Sequence, residues 1–172
     1  MAFADKLGSQ YTAVKDQVKI KTIHIQANEA EFDLKVRIPL KQEMELMNET
    51  IVAIDQAKIE DLYNKLSAPV RKSIADGGEG FLEQINKDKD FIIVRDDDMI
   101  VDGNSIRNVA TMAIMWKAKV EEYFHLLISE TGEPINETFD QIEQEFPDEV
   151  IKKIVDEIDK AIKPTYDSVK KN

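Results

Sequence analysis

The stretch Glu31-Phe32-Asp33-Leu34-Lys35-Val36-Arg37-Ile38-Pro39-Leu40 decides the fold class. Phe32, Leu34, Val36 and Ile38 alternate with Asp33, Lys35 and Arg37. Successive side chains of a strand point to opposite faces, so the pattern predicts a strand with one dry and one wet face. Pro39 lacks the N–H a sheet ladder needs and ends the strand. Its fixed φ suits the first turn of a helix. Beyond it, Leu40, Met44, Met47, Ile51 and Ile54 recur at three- and four-residue steps, the spacing of an amphipathic helix.

Before this stretch, Val18 to Ile25 reads as a partner strand, and Gln26 to Ala30 as the turn of a hairpin. The alternation slips near Thr22-Ile23, which predicts a bulge. Earlier still, Leu7, Tyr11 and Val14 keep helical spacing around Gly8, giving a short helix or arm over 1–17.

After it, Ile59, Leu62, Tyr63 and Leu66 predict a second helix, interrupted or restarted at Pro69 and ending near Ile74. Asp76-Gly77-Gly78-Glu79-Gly80 is the strongest breaker and the best candidate for a boundary or hinge. A short turn with Phe81, Leu82 and Ile85 follows. Phe91 to Arg95 and Met99 to Val101 then predict a second short hairpin around Asp96-Asp97-Asp98. Asn104 or Ser105 caps a long helix from Ile106 to Ser129, stopped by Thr131-Gly132-Glu133-Pro134. Residues 135–146 form an acidic amphipathic piece with Ile135, Phe139, Ile142 and Phe146. Pro147-Asp148 starts a last helix, and Pro164 ends it. Its stripe of Val150, Ile151, Ile154, Val155, Ile158 and Ile162 either docks on the body or forms a partner groove. The expected architecture is α+β and mainly α-helical, with an N-terminal β-hairpin, a second short β-hairpin and several amphipathic helices. The expected organisation is an arm over 1–17, a main domain over 18–130 and an acidic helical segment over 131–172.

The chain of 172 residues is long enough to bury a core without staples. Its net charge of −11 argues against nucleic acid and against anionic membrane surfaces as partners. It has no cysteine, so disulfides and thiolate zinc sites are excluded. No stretch approaches the ~18 apolar residues of a membrane helix. The opening Met1-Ala2-Phe3-Ala4-Asp5-Lys6 lacks the apolar core of a signal peptide. The glycosylation triplets at Asn48 and Asn136 are then chance matches.

Catalytic signals are sparse. Glu122-Tyr123-Phe124-His125 supplies one Glu-x-x-His, whereas a di-iron bundle needs two copies and further Glu. Asp96, Asp97, Asp98 and Asp102 fail the calcium-loop pattern, because Ile100 stands where an oxygen ligand is required. Gly77-Gly78-Glu79-Gly80 lacks the Lys-Ser/Thr of a phosphate loop. No nucleophile stands in a recognisable setting. The expectation is a protein without catalysis, cofactor or metal. The methionines suggest binding instead: Met44 and Met47 share one helix face, and Met112 and Met115 another, beside Trp116. Thioethers adapt to irregular partners, and they also fill ordinary cores.

The order of these pieces resembles the tail assembly chaperones of long-tailed (siphovirus-type) bacteriophages. The resemblance covers roughly residues 18–130. It is carried by Arg37-Ile38-Pro39-Leu40 leading into a Met-rich helix, and by Val94-Arg95-Asp96-Asp97-Asp98-Met99-Ile100-Val101-Asp102-Gly103-Asn104-Ser105-Ile106-Arg107 leading into a long helix that ends Glu121-Glu122-Tyr123-Phe124-His125-Leu126-Leu127. It implies a non-catalytic protein of the host cytoplasm that binds the aggregation-prone tape measure protein, keeps it soluble until tail tube subunits polymerise, and is absent from the finished virion. It implies no catalytic residues. Met44, Met47, Met112, Met115 and Trp116 are the candidate client contacts, chosen for their chemistry. Family members often have a frameshifted longer form, and Lys170-Lys171-Asn172 is compatible with an A-rich slippery run. Tail tube protein and a second copy of the chain are further possible partners. The alternatives are a structural tail or head-tail connector subunit retained in the virion, and an enzyme with a carboxylate metal site around Glu122 and His125.

Overall fold

The computed structural model describes residues 3–53 and 55–163. Ile54, Pro164 and the tail that follows lie outside the described residues. By their contacts the residues group into two units, Met1–Glu49 with Ala118–Asn172, and Thr50–Lys117. The described residues form seven α-helices, a two-stranded sheet and a three-stranded sheet. This is the mainly helical α+β class read from the sequence.

In the first unit, β1 (Ile20–Ala27) and β2 (Ala30–Arg37) make the N-terminal hairpin. Only Asn28-Glu29 connects them, and Asn28 takes a left-handed φ of 55° that asparagine tolerates well. The register runs unbroken from Ile20↔Arg37 to Ala27↔Ala30, so the expected bulge at Thr22-Ile23 is absent. The slip in the pattern has another cause. Lys21 stands on the core side, paired with Val36, and its Nζ donates to the Ala161 carbonyl at 2.7 Å. Helix C-termini leave carbonyls without partners and carry partial negative charge, so an inward lysine is satisfied there.

Ile23, Ile25, Ala27 and Val36 are buried on one face of the hairpin. Helix α7 (Asp148–Ile162) packs on β1 and buries Ile151, Ile154, Val155 and Ile158. Asp148 and Glu149 in its first turn and Lys160 in its last complement the helix dipole. The C-terminal stripe is therefore docked, and it shares the hairpin's core.

The arm comprises a 3-10 turn at Phe3–Leu7, α1 (Ser9–Val14) and a second 3-10 turn at Gln17–Lys19. Helix α2 (Lys41–Val52) follows β2. Glu43 fixes this junction: its carboxylate accepts from the Leu40 N–H at 2.7 Å and from the Arg37 guanidinium at 3.0 Å. The Leu40 N–H first, and then Arg37, hold the Glu43 carboxyl below its usual range.

In the second unit, α3 (Gln56–Gly77) is capped by Asp55, which accepts from the Ala57 N–H at 2.9 Å. The helix runs through Pro69 without breaking, contrary to the sequence expectation. Pro69 and Lys65 lie on the exposed face, where water can satisfy the carbonyl that proline leaves unpaired. The Asp76–Gly80 breaker lies inside this unit, between α3 and α4 (Phe81–Ile85). The second hairpin, β3 (Ile92–Val94) and β4 (Met99–Val101), gains an unforeseen third strand, β5 (Asn104–Ser105).

Ser105 caps α5 (Ile106–Phe124) through the Asn108 N–H at 2.9 Å. Asp98 turns inward and accepts the Met99 and Arg107 N–H groups at 2.8 and 3.0 Å. Burial opposes its charge, but the Ser105 hydroxyl and these N–H groups hold its carboxyl below the usual range. Arg107 reaches Glu60 at 2.7 Å and lies over the Tyr63 ring at 4.2 Å, beside a core of Ile59, Tyr63 and Ala110.

Candidate functional site

The expected helix to Ser129 stops at Phe124, because the next residues bond to the sheet. The Arg37 N–H donates to Leu126 O at 2.8 Å, and the Ile128 N–H to Lys35 O at 2.9 Å. Val36 and Leu127 form an antiparallel bridge. An extended segment on β2 makes these bonds where a helix would not. This exit also separates Leu127, partly buried, from Phe124 and Leu126, which are buried.

Two devices place the next helix. Thr138 and Gln141 form a reciprocal capping box, with the Thr138 N–H donating to Gln141 Oε1 at 2.9 Å. Glu121 Oε1 accepts the Phe139 N–H at 2.6 Å, tying the start of α6 (Phe139–Glu145) to α5. Helix α6 then buries Phe139 and Ile142. Phe146 meets Phe124 edge-on, with ring centroids 6.1 Å apart and planes at 70°.

Between these parts lies an open apolar groove of about 310 Å³. Leu34, Phe124, Leu127, Ile135, Phe146 and Ile154 line it, and Glu137, Gln141 and Glu145 edge it on the α6 side. Glu137 and Glu145 are exposed, and neither has a cation partner among the described residues. Inserting one Leu- or Phe-sized side chain into such a groove is worth about 1.5–3 kcal/mol. The acidic edge favours a partner with lysine or arginine beside its apolar anchor.

The five candidates chosen from the sequence lie elsewhere. Met47 is buried and Met44 half-buried on α2, in the first unit. Met115 and Trp116 are half-buried, and Met112 is 57% exposed, on the part of α5 in the second unit. None of the five lines the groove. The sequence did mark 135–146 as acidic and amphipathic. It did not reveal that Leu34 and Leu127, far apart in the chain, face the same hollow.

Several of the titratable residues singled out in the sequence have structural partners. Asp102 pairs with Lys89, and Asp98 is taken up by backbone N–H groups. His125 is exposed, while His24 Nδ1 pairs with Asp33 at 2.8 Å. Among the described residues, no group of three His, Cys, Asp or Glu side chains is placed to hold a metal ion. Nor is any described helix long and apolar enough to cross a membrane.

Comparison with family models, curated proteins and solved structures finds no match to this chain.

Proposed function

We propose that this chain is a non-catalytic tail assembly chaperone of a long-tailed bacteriophage, which binds the tape measure protein in the host cytoplasm and keeps it soluble until the tail tube forms. One observation carries the binding part of this reading: an open apolar groove edged by Glu137 and Glu145. The groove offers apolar cover for a side chain that would otherwise aggregate. The chain's net charge of −11 would keep a bound client dispersed. The phage and client assignments rest on the sequence resemblance.

The test is co-expression with a tape measure protein of a long-tailed bacteriophage. A client that is insoluble alone, but soluble and co-purified with this chain, supports the reading. Replacing Ile135 or Phe146 with Asp should abolish capture while the variant stays folded by circular dichroism. No gain in solubility and no co-purification would sink the proposal. Recovery of the chain from purified virions would favour the structural-subunit alternative.

A further inference from the structure

The N-terminal arm leaves apolar side chains in solvent. Phe3 is 75% exposed, Leu7 53% and Val18 61%. Tyr11 is half-buried, and Val14 is also exposed. Phe3 and Leu7 lie on the first 3-10 turn, Tyr11 and Val14 on α1 beyond the Gly8 break, and Val18 on the second 3-10 turn. The arm also carries Lys6 and Lys15. Residues 1–19 hold three lysines (Lys6, Lys15, Lys19) and two aspartates, a formal side-chain charge of +1 within a chain of −11. The arm is thus a weakly basic segment with exposed apolar side chains on an otherwise strongly acidic molecule.

The groove beside α6 has the complementary character: an apolar floor with the exposed carboxylates of Glu137 and Glu145 at its edge. In the structure the arm's apolar residues stay exposed and the groove stays open. The arm is rooted by the Ile38 N–H, which donates to Lys19 O at 2.6 Å, and Gly8 breaks it at a left-handed φ of 95°. Glycine takes that φ without steric cost.

We propose that the arm of one copy seats in this groove of a second copy, so that two chains exchange arms about a two-fold axis. Each groove receives one apolar side chain of the arm, Phe3 or Leu7, and Lys6 or Lys15 meets Glu137 and Glu145. Exchange of identical segments is a low-cost route to a dimer, because the contact is made twice. The exchanged arm would cover the groove until a client displaces it.

Analytical ultracentrifugation of the full chain tests this, using charge reversal and its rescue. The natural chain should sediment as a dimer at about 100 μM and dissociate on dilution. Glu137→Lys with Glu145→Lys should weaken the dimer about tenfold or more, as should Lys6→Glu with Lys15→Glu, and combining all four should restore it. These positions are on the surface, so circular dichroism should stay unchanged. A Phe3→Asp, Leu7→Asp variant, which leaves the groove intact, should be monomeric. A natural chain that is monomeric at 100 μM overturns the proposal, as does a dimer indifferent to both reversals. The chaperone reading is separable, because an arm variant that is monomeric and still solubilises the client leaves that reading standing.

Discussion

The Tyr123 hydroxyl donates to Asp159 Oδ1 at 2.5 Å, joining the end of α5 to the last turns of α7. Lys163 reaches the other oxygen of the same carboxylate at 2.8 Å. Burial, and then the bond to Asp159, raise the Tyr123 phenol well above its ordinary value. Burial opposes the charge on Asp159, but Lys163 and Tyr123 outweigh it and lower its carboxyl. Tyr123→Phe should therefore cost about 1–2 kcal/mol in urea unfolding at pH 7. Because the folded-state pKa of Asp159 is depressed, its contribution is present above the ordinary value of 3.8 and is lost as pH falls through the folded value. The penalty of Asp159→Asn should thus shrink between pH 6 and pH 2, and a penalty constant over that range would refute the assignment.

His24 should titrate above 6.5. The Asp33 hydrogen bond raises it most, desolvation opposes it, and the charges of Asp33, Glu31 and Glu157 raise it further. A raised folded-state value means that any stabilisation is present at low pH and fades as pH rises through it. Proton NMR of the imidazole should show the midpoint move down in Asp33→Asn. An unmoved midpoint would show that the pairing does not persist in solution.

Gly77 ends α3 against the ring of Phe81, and a Cβ there would overlap that ring. Gly77→Ala should destabilise the protein by about 1–3 kcal/mol. Pairing it with Phe81→Ala should recover part of that loss, as thermal unfolding would reveal. Additive losses would place the strain elsewhere.

The methionines should divide by burial. Met47→Ala, at 8% exposure, should cost about 2 kcal/mol or more, whereas Met112→Ser, at 57% exposure, should stay within about 0.5 kcal/mol. If Met112→Ser nonetheless reduces client capture in the co-expression assay, that part of α5 belongs to the binding surface. If capture is unchanged, it does not.

The docked α7 gives a sharper contrast. Ile154 and Ile158 are fully buried in its stripe. Ile158→Ala should cost about 2–5 kcal/mol and lower the melting temperature clearly. A near-neutral substitution would mean that the helix is not docked on the hairpin in solution.

Much of the secondary structure was already written in the sequence. The alternation Phe32-Leu34-Val36, the spacing Ile151-Ile154-Ile158 and the helix start at Pro147 each fix a local period or an end, and such preferences act within a few residues. Ser105 likewise announces its helix, because a cap bonds only two or three residues away. Other features needed the folded chain. The end of α5 at Phe124 depends on bonds to β2, about ninety residues earlier, and no local pattern encodes them. Lys21 looked like an interruption because its partner is the Ala161 carbonyl, 140 positions away. Pro69 is tolerated because it faces solvent, which a linear pattern does not reveal. The groove is the extreme case, for its walls come from β2, α5, α6 and α7 and exist only once those four elements meet. The sequence by itself determined periodicity, caps and charge, because those are near-neighbour properties. Tertiary structure alone decided which apolar faces are covered and which stay open, because burial depends on the whole chain.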